Sequence, residues 1–250
     1  VADYTIENIK SVNEIHLDSR NLNITSITRD DLEGELEFES IEKGEDLGTE
    51  LVIPITSKTK NISITYTTTK GADALQFLDP IQTAGKKHPF LFTQSQAILA
   101  RTWLPCQDSP GIRFTYEAEV TVPKGMLALM SATNPTKINE SGVYTFKMDQ
   151  PVPSYLMALS VGNIEYRKLG EVTGVYAEPE VIESAAYEFA DMQNMVDTAE
   201  ALYGEYQWGK YDVIVLPPSF PFGGMENPRL TCATPTIIAG DRSLTALIGH

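Results

Sequence analysis

The residues whose types and spacing could do chemistry lie near the C-terminal end. The run Phe222-Gly223-Gly224-Met225-Glu226-Asn227 sets two glycines beside a carboxylate. Neither glycine carries a Cβ, so the backbone there can approach a ligand closely. A carboxylate next to such a strip can hold a cation through charge-assisted hydrogen bonds. The same glycines would also serve a plain turn, and a lone loop glutamate is ordinarily a solvated charge. The last residue is an imidazole, His250. Taken alone it is a surface side chain at a chain end. His16 and His88 have no ligand spacing.

The elements that must position these residues change character near residue 165. Before it the pattern is almost all strand. Val12, Ile15 and Leu17 share one side of an extended run. Leu36 and Phe38 alternate with Glu35, Glu37 and Glu39, and Leu51, Ile53 and Ile55 alternate again, as do Ile62, Ile64 and Tyr66. Residues 113–122 form a long period-two run that stops at Pro123, and residues 143–148 repeat the pattern. Gly, Pro, Asn and Asp separate these runs, as in a sandwich or open saddle of antiparallel sheets.

After Gly174 the period becomes helical. Ile182, Ala185, Ala186, Phe189, Met192, Val196, Ala199 and Tyr203 recur on one face, with Gly204 as a stop. Residues 211–216 read as a short strand closed by Pro217-Pro218. A loop at 219–224 and an extended segment at 229–233 follow. Asp241 or Ser243 is expected to cap a helix whose Leu244, Leu247 and Ile248 share a face. Such a helix, ending within its second turn, is marginal alone, so the sequence reads as a piece of a longer chain.

Composition sets limits. At 250 residues and 42% hydrophobic, the chain can bury one large core or two ordinary ones. A formal charge of −15 argues against nucleic acid and against anionic membrane as partners. No apolar run approaches the ~18 residues that span a bilayer. Cys106 and Cys232 are too few for a disulfide framework and read as buried thiols, although one bridge would be compatible with them. Asn23, Asn61 and Asn139 begin Asn-x-Ser/Thr triplets, which arise often by chance. No signal peptide is visible, and the first residue is Val1 rather than Met. The expected compartment is the cytoplasm.

Over essentially its whole length the sequence resembles the M1 family of zinc aminopeptidases, in the branch that contains leukotriene A4 hydrolase, aminopeptidase B and their bacterial relatives. The resemblance is carried by Leu91-Phe92-Thr93-Gln94-Ser95-Gln96-Ala97 and Leu104-Pro105-Cys106-Gln107-Asp108. It continues through Val215-Leu216-Pro217-Pro218-Ser219-Phe220-Pro221-Phe222-Gly223-Gly224-Met225-Glu226-Asn227-Pro228, Thr234-Pro235 and Ala239-Gly240-Asp241-Arg242-Ser243-Leu244. It implies an α+β multidomain fold. Residues 1–165 would be an N-terminal antiparallel β-saddle, and 166–250 the first part of a thermolysin-like zinc peptidase domain, with the chain cut at both ends.

The resemblance also implies roles. Glu226 would be the catalytic-site carboxylate that pairs with the free α-ammonium of a substrate, with Gln96 adding a hydrogen bond nearby. Gly223 and Gly224 would bind the substrate backbone like an added strand, and Met225 and Ala97 would line the first side-chain pocket. Phe222 stands where leukotriene A4 hydrolase has tyrosine and aminopeptidase B has phenylalanine, which weakens any claim to epoxide hydrolysis. Asn227 would hold the loop. His250 would be the first ligand of a His-Glu-x-x-His zinc motif, whose other members lie outside the sequence. The implied activity is removal of the N-terminal residue from short peptides with a free N-terminus, by a Zn2+ enzyme expected to be monomeric. The 250 residues alone are expected to be inactive. The alternatives are a catalytically silent relative acting as an interaction scaffold, or a bifunctional epoxide hydrolase.

Overall fold

Alternating apolar positions in the first seventy residues become two small antiparallel sheets. The structure, a computed structural model, describes residues 1–7, 9 and 12–250. In chain order come β1 (Ala2–Thr5), β2 (Glu14–Ser19), β3 (Leu22–Arg29), β4 (Glu39–Glu42), β5 (Thr49–Pro54) and β6 (Asn61–Thr68). β6 lies between β1 and β3, and β5 between β2 and β4. Leu17, Leu51 and Ile53 from one sheet meet Ile27, Ile62 and Ile64 from the other in one buried cluster. On β2 the opposite face is polar, with Glu14, His16 and Asp18, as the period of two requires, whereas β5 places Val52 there.

Residues 35–38 depart from expectation. Leu36 and Phe38 do pack on this core, but the segment is not laddered, and β4 starts only at Glu39. The Leu36 N–H donates to the Ile27 carbonyl at 2.7 Å and ties it down. Val12, grouped with Ile15 and Leu17 by the pattern, is exposed.

The chain divides into two compact units. The first comprises Val1–Leu75, Gln94–Arg113 and Pro153–Tyr155, and the second Gln76–Thr93, Phe114–Val152 and Leu156–His250. The later strands are β7 (Leu75–Leu78), β8 (Phe90–Thr93), β9 (Arg113–Thr121), β10 (Leu127–Met130), β11 (Val143–Pro153), β12 (Leu159–Gly162), β13 (Glu165–Lys168) and β14 (Thr173–Ala177). After helices α1 (Ile182–Glu188) and α2 (Met192–Tyr203) come β15 (Tyr211–Val215), β16 (Gly224–Met225), β17 (Thr231–Ala233) and α3 (Ala246–Gly249). One sheet runs β10-β12-β8-β7, and β11 pairs with β9. Up to Glu165, the helices among the described residues are three-residue 3-10 turns, as a mostly antiparallel β domain requires.

A five-stranded sheet, β13-β14-β15-β17-β16, is made entirely of residues after 164. β14, β15 and β17 are parallel, and β13 and β16 are antiparallel at the two edges. Parallel neighbours need a crossover, and α1 with α2 supplies the one between β14 and β15. Val175, Val213, Val215 and Ala233 of the sheet are buried with Ile182, Ala185, Phe189 and Met192 of the crossover and Ile248 of α3.

The single helical stripe expected from 182 to 203 is in fact two helices. The chain turns at residues 189–191, where Phe189 N–H still bonds to Ala185 and Met192 N–H bonds to the Phe189 carbonyl. The break keeps both Phe189 and Met192 on the core, whereas Tyr203 ends up exposed. Gly204 closes α2 at φ +96°, a conformation that suits glycine. Among the described residues no helix is long and apolar enough to cross a membrane.

Candidate active site

The glycine run is built from β15 outward. β15 is buried along its length apart from Tyr211, and Leu216 adds one more bond, to the Ala233 carbonyl at 3.0 Å. Pro217 and Pro218 have no N–H and end the ladder. The chain then turns, Phe220 N–H bonding to the Pro217 carbonyl. Phe220 is buried edge-on against Phe92 of β8, with ring centroids 5.8 Å apart, and against Phe222 at 6.1 Å. This aromatic row links β8 to the glycine run within the second unit.

Gly224 and Met225 then form β16, opposite Ala233 and Cys232. The Gly223 carbonyl accepts from Thr234 N–H at 3.0 Å. Neither glycine has a positive φ, so a turn conformation does not explain them. Close approach does. A Cβ on Gly223 would lie 3.3 Å from Cδ2 of Leu247, and one on Gly224 would lie 3.2 Å from the Cys232 carbonyl oxygen. β16 is an edge strand of the sheet, the kind of position at which another chain can pair.

Beyond β16, exposure alternates. Met225 is buried, Glu226 exposed and Asn227 buried. The Glu226 carboxylate makes no hydrogen bond or ion pair with any described residue. Asn227 donates to Cys232 Sγ at 3.4 Å, and its carbonyl accepts from Leu230 N–H, so it holds the loop as expected. Arg229 clamps the same loop. At φ +66° it sends its guanidinium to the Trp208 carbonyl at 2.8 Å, Thr133 Oγ1 at 3.1 Å and Gln150 Oε1 at 3.1 Å. Nothing in the sequence signalled that role.

Gln96 and Ala97 belong to the first unit. Both are exposed, and the peptide between them is cis. A buried ionic network holds their loop. Arg101 Nε donates to Asp108 Oδ2 at 3.1 Å, as does its own N–H, and Ser154 Oγ donates to Asp108 Oδ1 at 2.6 Å. Arg101 reaches the Leu47 carbonyl, and Asp108 N–H reaches Asp18 Oδ2. The hydroxyls of Tyr4 and Tyr66 donate to the carbonyls of Pro105 and Trp103, and Trp103 Nε1 donates to Ser95 Oγ. The Leu104-Pro105-Cys106-Gln107-Asp108 motif is therefore the fastening of the Gln96 loop within this unit.

His250 is exposed at the end of α3. The helix is anchored by buried Ile248 and by the Tyr211 hydroxyl, which donates to the Ile248 carbonyl at 2.6 Å. The expected caps are not used. Asp241 Oδ1 accepts from Ser243 N–H in a local turn, and α3 starts after Thr245. Among the described residues no three His, Cys, Asp or Glu side chains gather as a metal site. His16 bonds instead to Glu50 and Glu14, and the Glu50 hydrogen bond raises its pKa. The described residues alone therefore assemble no zinc site. Both cysteines are free and buried, and burial pushes the Cys232 thiol up to about 12.

Asp212 was also missed. It lies on β15, 6% exposed, and its Oδ1 has no hydrogen-bond partner among the described residues. Burial raises its pKa to about 6 against the opposing charge of Lys210. The available signal was an acidic residue inside a strand that is otherwise apolar on both faces.

Two family models match the chain. Residues 2–156 match the Peptidase M1 N-terminal domain, and residues 187–248 match the Peptidase family M1 domain. Leukotriene A-4 hydrolase of Xenopus laevis is 50% identical over 194 residues, covering 76% of this chain and 32% of its own length. Aminopeptidase B of Rattus norvegicus is 46% identical over 190 residues, covering 76% and 29%. The structure of native yeast LTA4 hydrolase matches with a TM-score of 0.89 at 34% identity, over 98% of this chain and 39% of that one. The chain spans about a third of the length of these relatives.

Proposed function

The chain belongs to peptidase family M1, and on that premise we propose that its parent protein is a zinc-dependent aminopeptidase in which Glu226 holds the free α-ammonium of a peptide. One observation carries this reading. An exposed carboxylate, with no hydrogen bond or ion pair among the described residues, directly follows an edge strand of the sheet. A peptide can add to such an edge through main-chain hydrogen bonds, and the adjacent carboxylate then selects a cationic first residue. A blocked amine would leave that carboxylate desolvated without a partner, which disfavours it.

Around this centre, Met225 and Phe222 shape the first side-chain pocket, and the family resemblance assigns Gln96 and Ala97 to substrate binding as well. Phe222 offers no hydroxyl, which disfavours epoxide chemistry. His250 is the one zinc ligand in this chain. The other donors must come from outside it, so residues 1–250 alone hold no catalytic metal. The β-saddle spans residues 1–165 and the start of the peptidase domain 166–250. The acidic chain suits short peptides as partners rather than nucleic acid or anionic membrane, and free thiols suit the cytoplasm. The test is a double-mutant cycle in the full-length parent, with Gln96→Ala and Glu226→Ala read by kcat/KM on an unblocked aminoacyl amide. Shared action on one ammonium gives a coupling of roughly 0.5–3 kcal/mol, whereas strictly additive losses refute it.

A further inference from the structure

Glu188, the last residue of α1, is fully buried. Its two carboxyl oxygens each accept a backbone N–H, Oε2 from Gly240 and Oε1 from Arg242, both at 2.8 Å. The two residues so gripped have φ +85° and +61°, so the carboxyl holds a segment with two left-handed positions. The positive φ at Arg242 costs energy that surrounding contacts must offset. From the outside, Arg242 straps the same segment to α1. Its guanidinium lies over the Tyr187 ring, 4.5 Å from the centroid, and bonds to the Tyr187 carbonyl and Asp191.

This segment leads directly into α3. α3 seats Ile248 in the core and sets Leu247 against Gly223. We infer that Glu188 is a positioning residue. By fixing residues 240–242 it places α3, and through the Leu247–Gly223 contact it places the glycine strip that binds substrate. The inference rests on the functional reading of that strip given above. It requires that a residue with no part in substrate contact control the order of residues 222–226, through a path of named contacts within one unit. A buried carboxyl that accepts from two backbone donors is costly to lose, since both N–H groups are then left without a partner.

The test is hydrogen exchange and steady-state kinetics on the full-length parent, comparing wild type, Glu188→Ala and Phe146→Leu. The last is a core change on β11 that lowers stability without touching the segment. Exchange at residues 240–242 in Glu188→Ala should rise roughly 10- to 100-fold. Exchange should rise at residues 222–226 as well, and KM for an unblocked aminoacyl amide should increase roughly tenfold or more, while Phe146→Leu leaves both unchanged. Increased exchange confined to 240–242 with KM unchanged would overturn the inference, as would an equal rise at 222–226 in Phe146→Leu. Should Glu188→Ala not fold, Glu188→Gln, which keeps one acceptor and replaces the other by a donor, is judged by the same criteria. A wild-type parent that does not turn over unblocked substrates refutes the functional reading instead, and the exchange at 222–226 still decides the mechanical link.

Discussion

Leu247 covers Gly223: a Cβ built on the glycine would lie 3.3 Å from the leucine Cδ2. The loop that carries Glu226 and the helix that ends in His250 are therefore in contact already, and the absent side chain is what permits it. The contact is with the flexible end of a side chain, so one methyl can be absorbed while a branched side chain cannot. Gly223→Ala should change kcat/KM of the full-length parent by less than roughly threefold. Gly223→Val should cost roughly 1–3 kcal/mol in stability, the range for overpacking, and Leu247→Ala should recover part of it. Thermal midpoints of the three variants and the double variant check this, and absence of recovery would locate the conflict elsewhere.

The Arg101–Asp108 pair gives a second prediction. Both side chains are buried and each is fully engaged. Removing one partner strands a charge, at a cost of about 3–5 kcal/mol. Asp108→Ala should lower the thermal midpoint by about 6–20 °C. It should also expose residues 94–103 to limited proteolysis, because the Gln96 loop loses its fastening. Wild-type cleavage in that segment would argue against the fastening role.

Asp212 predicts a pH dependence with a definite sign. Burial raises its folded-state pKa to about 6 from the ordinary 3.8, so the folded state binds the proton more tightly than the unfolded chain. Its contribution to stability is full below about pH 4 and is lost as the pH rises through about 6. Asp212→Asn should therefore be more stable than wild type at pH 7.5 by about 2–3 kcal/mol, with the advantage gone at pH 4. Denaturation midpoints across pH 4–8 check this, and parallel curves would contradict it.

How far the sequence revealed this arrangement depends on whether a local period decided the matter. β9 was legible because its apolar and polar residues alternate without a break up to Pro123. Leu36 and Phe38 alternate just as well, yet facing a core does not fix hydrogen-bond pairing. The turn at 189–191 has no Gly or Pro to announce it, since packing of Phe189 and Met192 on the sheet imposed it. At the site, the glycine pair and Glu226 stood out by composition. Glu188 did not, because a glutamate at a helix end ordinarily meets solvent, and only the later return of residues 240–242 gives it partners.

Residues 1–250 expressed alone should not hold zinc at one equivalent after dialysis. A catalytic zinc site needs three protein ligands in tetrahedral geometry, and no such group gathers among the described residues. Metal analysis of the dialysed protein checks this, and stoichiometric zinc would reveal a site outside the present account.

The central claim is that Glu226 reads the free amine of the substrate. The most direct measurement is kcat/KM of the full-length parent and its Glu226→Ala variant on paired substrates, one with a free N-terminus and one N-acetylated, alongside the zinc content of each protein. Wild type should strongly prefer the free amine. In the variant, kcat/KM on that substrate should fall roughly 30- to 4,000-fold, as for loss of one partner of a charge pair. The preference should collapse while zinc content stays at the wild-type level. A variant that loses zinc, or that keeps the wild-type preference for a free amine, would contradict the assignment.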